Sequence, residues 1–291
     1  MVLNSRRREL PVYKSTFAIM SQEVNSFTVC VLLFGDHVEL AHRCLNSICQ
    51  AYDPRYLKSL RIGMNQVCSE TRDMVQLLPE VLPDTQILLY DAGDNNRLKY
   101  PMMRKMLHDP AYPVITPYVM WFDDDSYLED GLGSAWWQQL TELMRTSDML
   151  GSLYRFPLSP AQAQAIVKQP WYNGKPPMSR FLFATGGWWV IRTRIIQQFD
   201  YPFMDIVHNG GDTTLGELLR QQEKRLLQFR TGVRVNADEE GRESKAVRRG
   251  HHRPPVWSDW PNPVDHSCHD FEITTRVLRE PAGTHLRRNP T

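Results

Sequence analysis

The 291-residue chain has no GxxxxGK[ST] phosphate loop, no GxGxxG after its first strand-like segment and no GxSxG elbow. These gaps argue against a P-loop nucleotidase, a dinucleotide-dependent oxidoreductase and an ordinary α/β-hydrolase. No apolar run approaches the roughly 18 residues that a membrane helix needs, and the first residues contain no apolar signal core. Charge of one sign is also missing: 34 Lys and Arg stand against 33 Asp and Glu, for a net +1. Global charge therefore names no partner. The five cysteines, at 30, 44, 49, 68 and 268, are odd in number and include no CxxC. They read as reduced, packed thiols of an intracellular protein, expected to be cytoplasmic.

Hydrophobic residues make up 42% of the chain and charged residues 23%, an ordinary globular balance. The ends are more basic than the middle. Residues 1–20 hold Arg6, Arg7, Arg8 and Lys14 against Glu9, and from Arg220 onward 14 Lys and Arg stand against 10 Asp and Glu. Such an excess suits solvated tails, an anionic donor or a nucleic acid. No internal repeat or linker is visible. The expected layout is a basic lead-in over 1–25, one domain over 26–255 and an extension over 256–291.

Apolar runs alternate with helical spacing. FTVCVLLF (27–34) reads as a strand buried on both faces, and residues 38–50 repeat apolar positions as a helix does. LKSLRIGM (57–64) and QILLY (86–90) read as further strands, separated by a helix over 69–78. A short helix over 101–107 leads to YVMWF (118–122). Helices over 132–144 and 161–168 and a strand over 149–153 follow. A loop covers 169–178. Residues 181–192 read as strand, break, strand, and another helix starts near Asp212. From 236 onward the pattern is that of loops. This alternation predicts an α/β fold with a mostly parallel central sheet, Rossmann-like, flanked by helices.

Four constellations can carry chemistry. Asp123, Asp124 and Asp125 end the fourth strand, where ligands of open α/β sheets bind. Three adjacent carboxylates need a cation, and Mn²⁺ or Mg²⁺ on a diphosphate meets that need, although short acidic runs are often solvated turns. Gly210-Gly211-Asp212, with Glu217 one turn on, offers a helix N-cap or a general base. His251 and His252, after Arg248-Arg249-Gly250, offer metal and phosphate contacts or a basic surface loop. In Thr185-Gly186-Gly187-Trp188-Trp189 the glycines allow close approach and the aromatics could stack on an acceptor, or the tryptophans belong to the core. His266, Cys268 and His269 lack zinc-ligand spacing.

The order of these pieces resembles the family 2 glycosyltransferases of the GT-A fold, over about 26–255. FTVCVLLFGDHVELAHRCLNSI resembles that family's first strand and helix, WFDDDSYL its DxD strand end, TGGWWVIRTRII its acceptor-side strand, and HNGGDTTLGELLRQQEKRL its E-D-x-x-L-x-x-R-L helix. Gly211 stands where the family usually has an acid, and IGMNQVCSET lacks the usual D-x-G-S-x-D.

The resemblance implies a soluble hexosyltransferase that uses a nucleotide-sugar donor, UDP-linked by expectation, and inverts the anomeric centre. It implies Asp212 as base. It places Phe34, Gly35, Asp36, Asn65, Arg97 and Asp123 to Asp125 on the donor. Gly186, Gly187, Trp188 and Trp189 fall on the acceptor, and Asp123, Asp125 and His251 or His252 on Mn²⁺ or Mg²⁺. The acceptor is left open among a glycan, a lipid-linked sugar, a protein and a hydroxymethylated base in viral DNA. A nucleotidyltransferase and a non-catalytic sugar-nucleotide binder are the rival readings.

Overall fold

The computed structural model describes residues 25–204, 206, 210–235 and 272–280. The expected strands form. β1 (Phe27–Phe34), β2 (Leu57–Asn65), β3 (Gln86–Asp91) and β4 (Tyr118–Asp123) lie side by side, with β1 parallel to both β2 and β4 and β2 parallel to β3. Their continuous apolar composition follows from burial on both faces. In β1, Phe27, Val29, Val31 and Leu33 point into one core layer, with Ala41 and Cys44 of α1 (Val38–Gln50) and Trp137 and Leu140 of α5 (Ser134–Thr146). Cys30 and Leu32 point into the other, with Met102, Met103 and Met106 of α4 (Lys99–His108) and Leu215, Leu218 and Leu219 of α8 (Gly211–Gln221). Each fully buried aliphatic side chain of this kind contributes about 1.5–3 kcal/mol.

Two short helices, α2 (Ser69–Gln76) and α3 (Leu78–Val81), connect β2 to β3. Beyond β4 the sheet continues through β7 (Arg180–Arg192), β6 (Met149–Pro157) and β8 (Leu226–Gln228). The order is β10-β3-β2-β1-β4-β7-β6-β8, with β10 at Thr274–Arg279. Parallel pairing prevails, and the antiparallel pairs are β4 with β7, β7 with β6, and β3 with β10. The chain thus has the mixed α/β, mostly parallel architecture expected of it. A small second sheet pairs β5 (Tyr127–Leu128) with β9 (Val233–Arg234). Helix α6 (Pro160–Val167) starts with a capping box made by Ser159 and Gln162.

Four departures from the sequence reading have physical reasons. Helix α4 begins at Lys99 rather than Pro101, because proline sits comfortably in a first turn. β7 runs unbroken through its glycines and bulges instead of stopping. Helix α7 (Thr193–Phe199) forms where no helix was expected, with Ile195 and Ile196 buried. The tail, expected as loops, supplies β10, which covers the outer edge of β3. Cys30, Cys44, Cys49 and Cys68 are free thiols, the first two buried. Among the described residues no helix is long and apolar enough to cross a membrane.

Candidate functional site

Strand order reverses between β1 and β4, so a crevice opens beyond their carboxyl ends. The chain turns there at Gly35, whose φ of +66° suits glycine. The Phe34 N–H donates to Asp124 Oδ2 at 2.9 Å. The Gly35 N–H donates to the Asn65 carbonyl at 3.2 Å, tying the end of β1 to the end of β2. Asn65 in turn uses both ends of its amide. Its Oδ1 accepts from the Arg97 N–H at 2.8 Å and its Nδ2 donates to Asn96 Oδ1 at 2.9 Å. The donor-side residues Phe34, Gly35, Asn65, Arg97 and Asp124 therefore belong to one hydrogen-bonded rim, with Asp36 exposed beside it.

The three aspartates have three environments. Asp124 is buried and braces β1 through Phe34. Asp123 is partly buried, and both its oxygens are engaged: Oδ2 with Lys99 Nζ at 2.6 Å, Oδ1 with Trp121 Nε1 at 2.9 Å. Asp125 is partly buried on the far side of Asp124.

Opposite them, β7 bulges. Gly151 of β6 faces Trp189, yet Leu153, two residues on, faces Ala184, five residues away along β7. The surplus residues, Thr185 to Trp188, carry the two glycines. A Cβ on Gly186 would lie 3.0 Å from Lys99 Nζ and 3.6 Å from Asp212 Oδ2, so glycine permits this approach. The Gly186 carbonyl accepts from Lys99 Nζ at 2.8 Å.

Helix α8 brings Asp212 to the same place. Gly210, at φ +86°, starts the helix, and its carbonyl accepts from the Thr213 and Thr214 hydroxyls. The Asp212 carboxylate accepts from the N–H groups of Thr213 and Gly186. Burial raises the Asp212 pKa above the usual carboxylate value, and the nearby Lys99 ammonium and those N–H donors pull it back down. Glu217 is bound to Arg220 and Gln221 and serves the helix rather than the cleft.

Gly211 also finds its reason here. A Cβ at that position would meet the Tyr100 ring at 2.2 Å. The Tyr100 hydroxyl accepts from the Asp212 N–H and hydrogen-bonds Tyr201. Burial pushes both phenols well above their ordinary value, so both stay neutral. The tyrosine occupies the space that a family-like acid at 211 would need.

The structure corrects one expectation. Trp188 and Trp189 are fully buried and offer no face to an acceptor. Trp189 stacks on Trp121 with centroids 5.9 Å apart, and Trp188 packs against Phe122 and Phe229. Alternation along the strand sends one ring into each core layer. His251 and His252 lie outside the described residues, as do His266, Cys268 and His269. Among the described residues no cluster of three or more His, Cys, Asp or Glu is placed to hold a metal ion. The donor set at the β4 end is all carboxylate, which suits a hard cation that takes its remaining ligands from a diphosphate.

No family model matches the chain, and no curated protein matches it by sequence. Solved structures do. The mannosyltransferase PcManGT from Pyrobaculum calidifontis, in complex with GDP-Man and Mn²⁺, is 12% identical, covers 82% of this chain and 65% of its own, and superposes with a TM-score of 0.52. The fold is that of the GT-A glycosyltransferases. TarS from S. aureus (residues 1–349) is 12% identical, with 70% of this chain and 58% of its own covered and a TM-score of 0.45. GalNAc-T7 with UDP, GalNAc and Mn²⁺ is 10% identical, with 69% and 41% covered and a TM-score of 0.48. The chain thus matches less than two thirds of each of these longer proteins.

Within the GT-A frame, sequence reasoning missed Lys99, Tyr100 and Tyr201. A lone lysine before a helical pattern carries no signal of its own. Tyr100 was readable only through its consequence, the glycine at 211.

Proposed function

We propose that this GT-A chain transfers a sugar from a nucleoside-diphosphate sugar to an acceptor hydroxyl, with inversion and with Mn²⁺ or Mg²⁺. One observation carries the reading: a buried carboxylate, Asp212, at the start of a helix, converging with a glycine bulge on the acidic end of β4. The likeness to a mannosyltransferase fold that holds a sugar nucleotide and Mn²⁺ supports it. UDP is the first candidate nucleotide and GDP the second.

In this reading the rim of Phe34, Gly35, Asp36, Asn65 and Arg97 receives the nucleoside. Asp123 to Asp125 face the metal-bound diphosphate. The metal, when bound, offsets the negative charge that develops on the leaving diphosphate. Asp212 takes the proton of the acceptor hydroxyl as its oxygen bonds to the anomeric carbon from the face opposite the leaving group. The bond from that carbon to the diphosphate oxygen breaks, and the nucleoside diphosphate leaves with its electron pair. The Gly186 and Thr213 N–H groups hold the carboxylate in one orientation during this step. Gly186 and Gly187, lacking side chains, leave room for the acceptor.

A thermal-shift panel of UDP- and GDP-sugars, with and without Mn²⁺, tests the reading. A metal-dependent rise in Tm with at least one donor is expected. No rise with any donor would contradict it.

A further inference from the structure

We propose that Lys99 is a positioning residue that acts as a built-in counter-cation for Asp123, so that the divalent metal is held through Asp125 and not through Asp123. The inference rests on the glycosyltransferase reading above and assigns the division of labour inside its acidic run.

The argument starts from occupancy. Lys99 Nζ lies 2.6 Å from Asp123 Oδ2 and 2.8 Å from the Gly186 carbonyl. Its third neighbour is the Trp121 ring, with the centroid at 5.8 Å. The other Asp123 oxygen accepts from Trp121 Nε1 at 2.9 Å. Both ion-paired side chains are about five-sixths buried, at 16% and 15% exposure. A short, charge-assisted bond in such a setting is stronger than its exposed counterpart and is not readily given up to an incoming ion.

The lysine is also held where it is. It opens α4, directly after Leu98, whose φ of +62° is unusual for a residue with a side chain. The Leu98 N–H donates to Asn96 Oδ1 at 2.8 Å, and Asn96 is tied to Asn65 at the end of β2. The turn that aims Lys99 into the cleft is thus anchored to the donor rim. A lysine so placed joins three separate elements, the ends of β4 and α4 and the bulge of β7, beside the Asp212 carboxylate. Asp124 is spent on the Phe34 N–H. Asp125 is the member of the run left to face a metal-bound diphosphate.

The test reads Mn²⁺ binding by paramagnetic resonance, with UDP and with GDP, on the full chain and its variants. Asp125→Asn is expected to weaken binding more than about 100-fold and Asp123→Asn less than about 10-fold, as for removal of a ligand against removal of a neighbour. Lys99→Gln frees Asp123 and is expected to tighten Mn²⁺ binding without nucleotide, while Lys99→Arg leaves it unchanged. If Lys99→Gln does not fold, the pair Lys99→Gln/Asp123→Asn removes both charges together and is expected to bind Mn²⁺ as Asp123→Asn does. Equal losses from Asp123→Asn and Asp125→Asn, or Mn²⁺ binding lost in the double variant, would overturn the assignment alone. No Mn²⁺ bound by the unaltered chain with either nucleotide would overturn the assignment together with the functional reading.

Discussion

Strands β3, β2, β1 and β4 pair in parallel with one irregularity, at Phe27/Thr28, whereas β7 meets β6 across a bulge that gathers Thr185 to Trp188. The first region is regular because every residue is packed between two helical layers. The second breaks its ladder where the site needs backbone instead of side chains, at Gly186. Regularity supplies stability and a crevice. The irregular half supplies Asp212 and the carbonyl that holds Lys99.

If that division is right, changes in the two regions should fail differently. The largest effect is expected from Asp212→Asn, which should lower turnover by about 10²–10⁴-fold while donor binding, read by calorimetry, stays near that of the unaltered chain. Unchanged turnover would move the base elsewhere. In the regular half, Ile62→Ala in β2 removes a fully buried side chain. It should cost about 2–5 kcal/mol in a denaturant titration, with turnover per folded molecule unchanged. A loss of turnover without a loss of stability would break the comparison.

Gly216→Ala sharpens it from the other side. Its Cβ would lie 2.2 Å from the Leu182 carbonyl and 2.7 Å from Phe183 Cβ, so α8 must lift off β7. A destabilisation of about 1–3 kcal/mol is expected. Turnover should fall with it, because the same helix carries Asp212.

The smallest effect is in pH. Asp212 serves as base only when ionised, so kcat/KM should rise with pH through its pKa. Burial sets that pKa above the usual value of 3.8. Lys99 lowers it, so Lys99→Gln should move the acid limb of the profile to higher pH. A limb that moves to lower pH would contradict the placement of the ammonium beside Asp212.

The two halves also differed in legibility. The runs FTVCVLLF, LKSLRIGM, QILLY and YVMWF announce buried strands, because a parallel strand needs apolar residues at every position. The carboxyl-end rule then placed Asp123 to Asp125 on the crevice. The bulge was not legible, since two glycines in a strand pattern fit a break as well as a detour. Trp188 and Trp189 were misread for the same reason: next to glycine they looked available, and only the sheet partners Trp121 and Phe122 reveal their burial. Lys99 depends on a contact across 87 residues, to Gly186, that no local pattern encodes. Strand β10 hides in a charged segment because an edge strand needs only alternate apolar positions.

The account's central claim is that Asp212 and the acidic end of β4 cleave the bond between sugar and diphosphate. Chromatography of the nucleotide released from UDP- and GDP-sugars with Mn²⁺ tests it most directly. The account predicts a nucleoside diphosphate, released by the unaltered chain and not by Asp212→Asn. Release of pyrophosphate, or equal release by both chains, would contradict it.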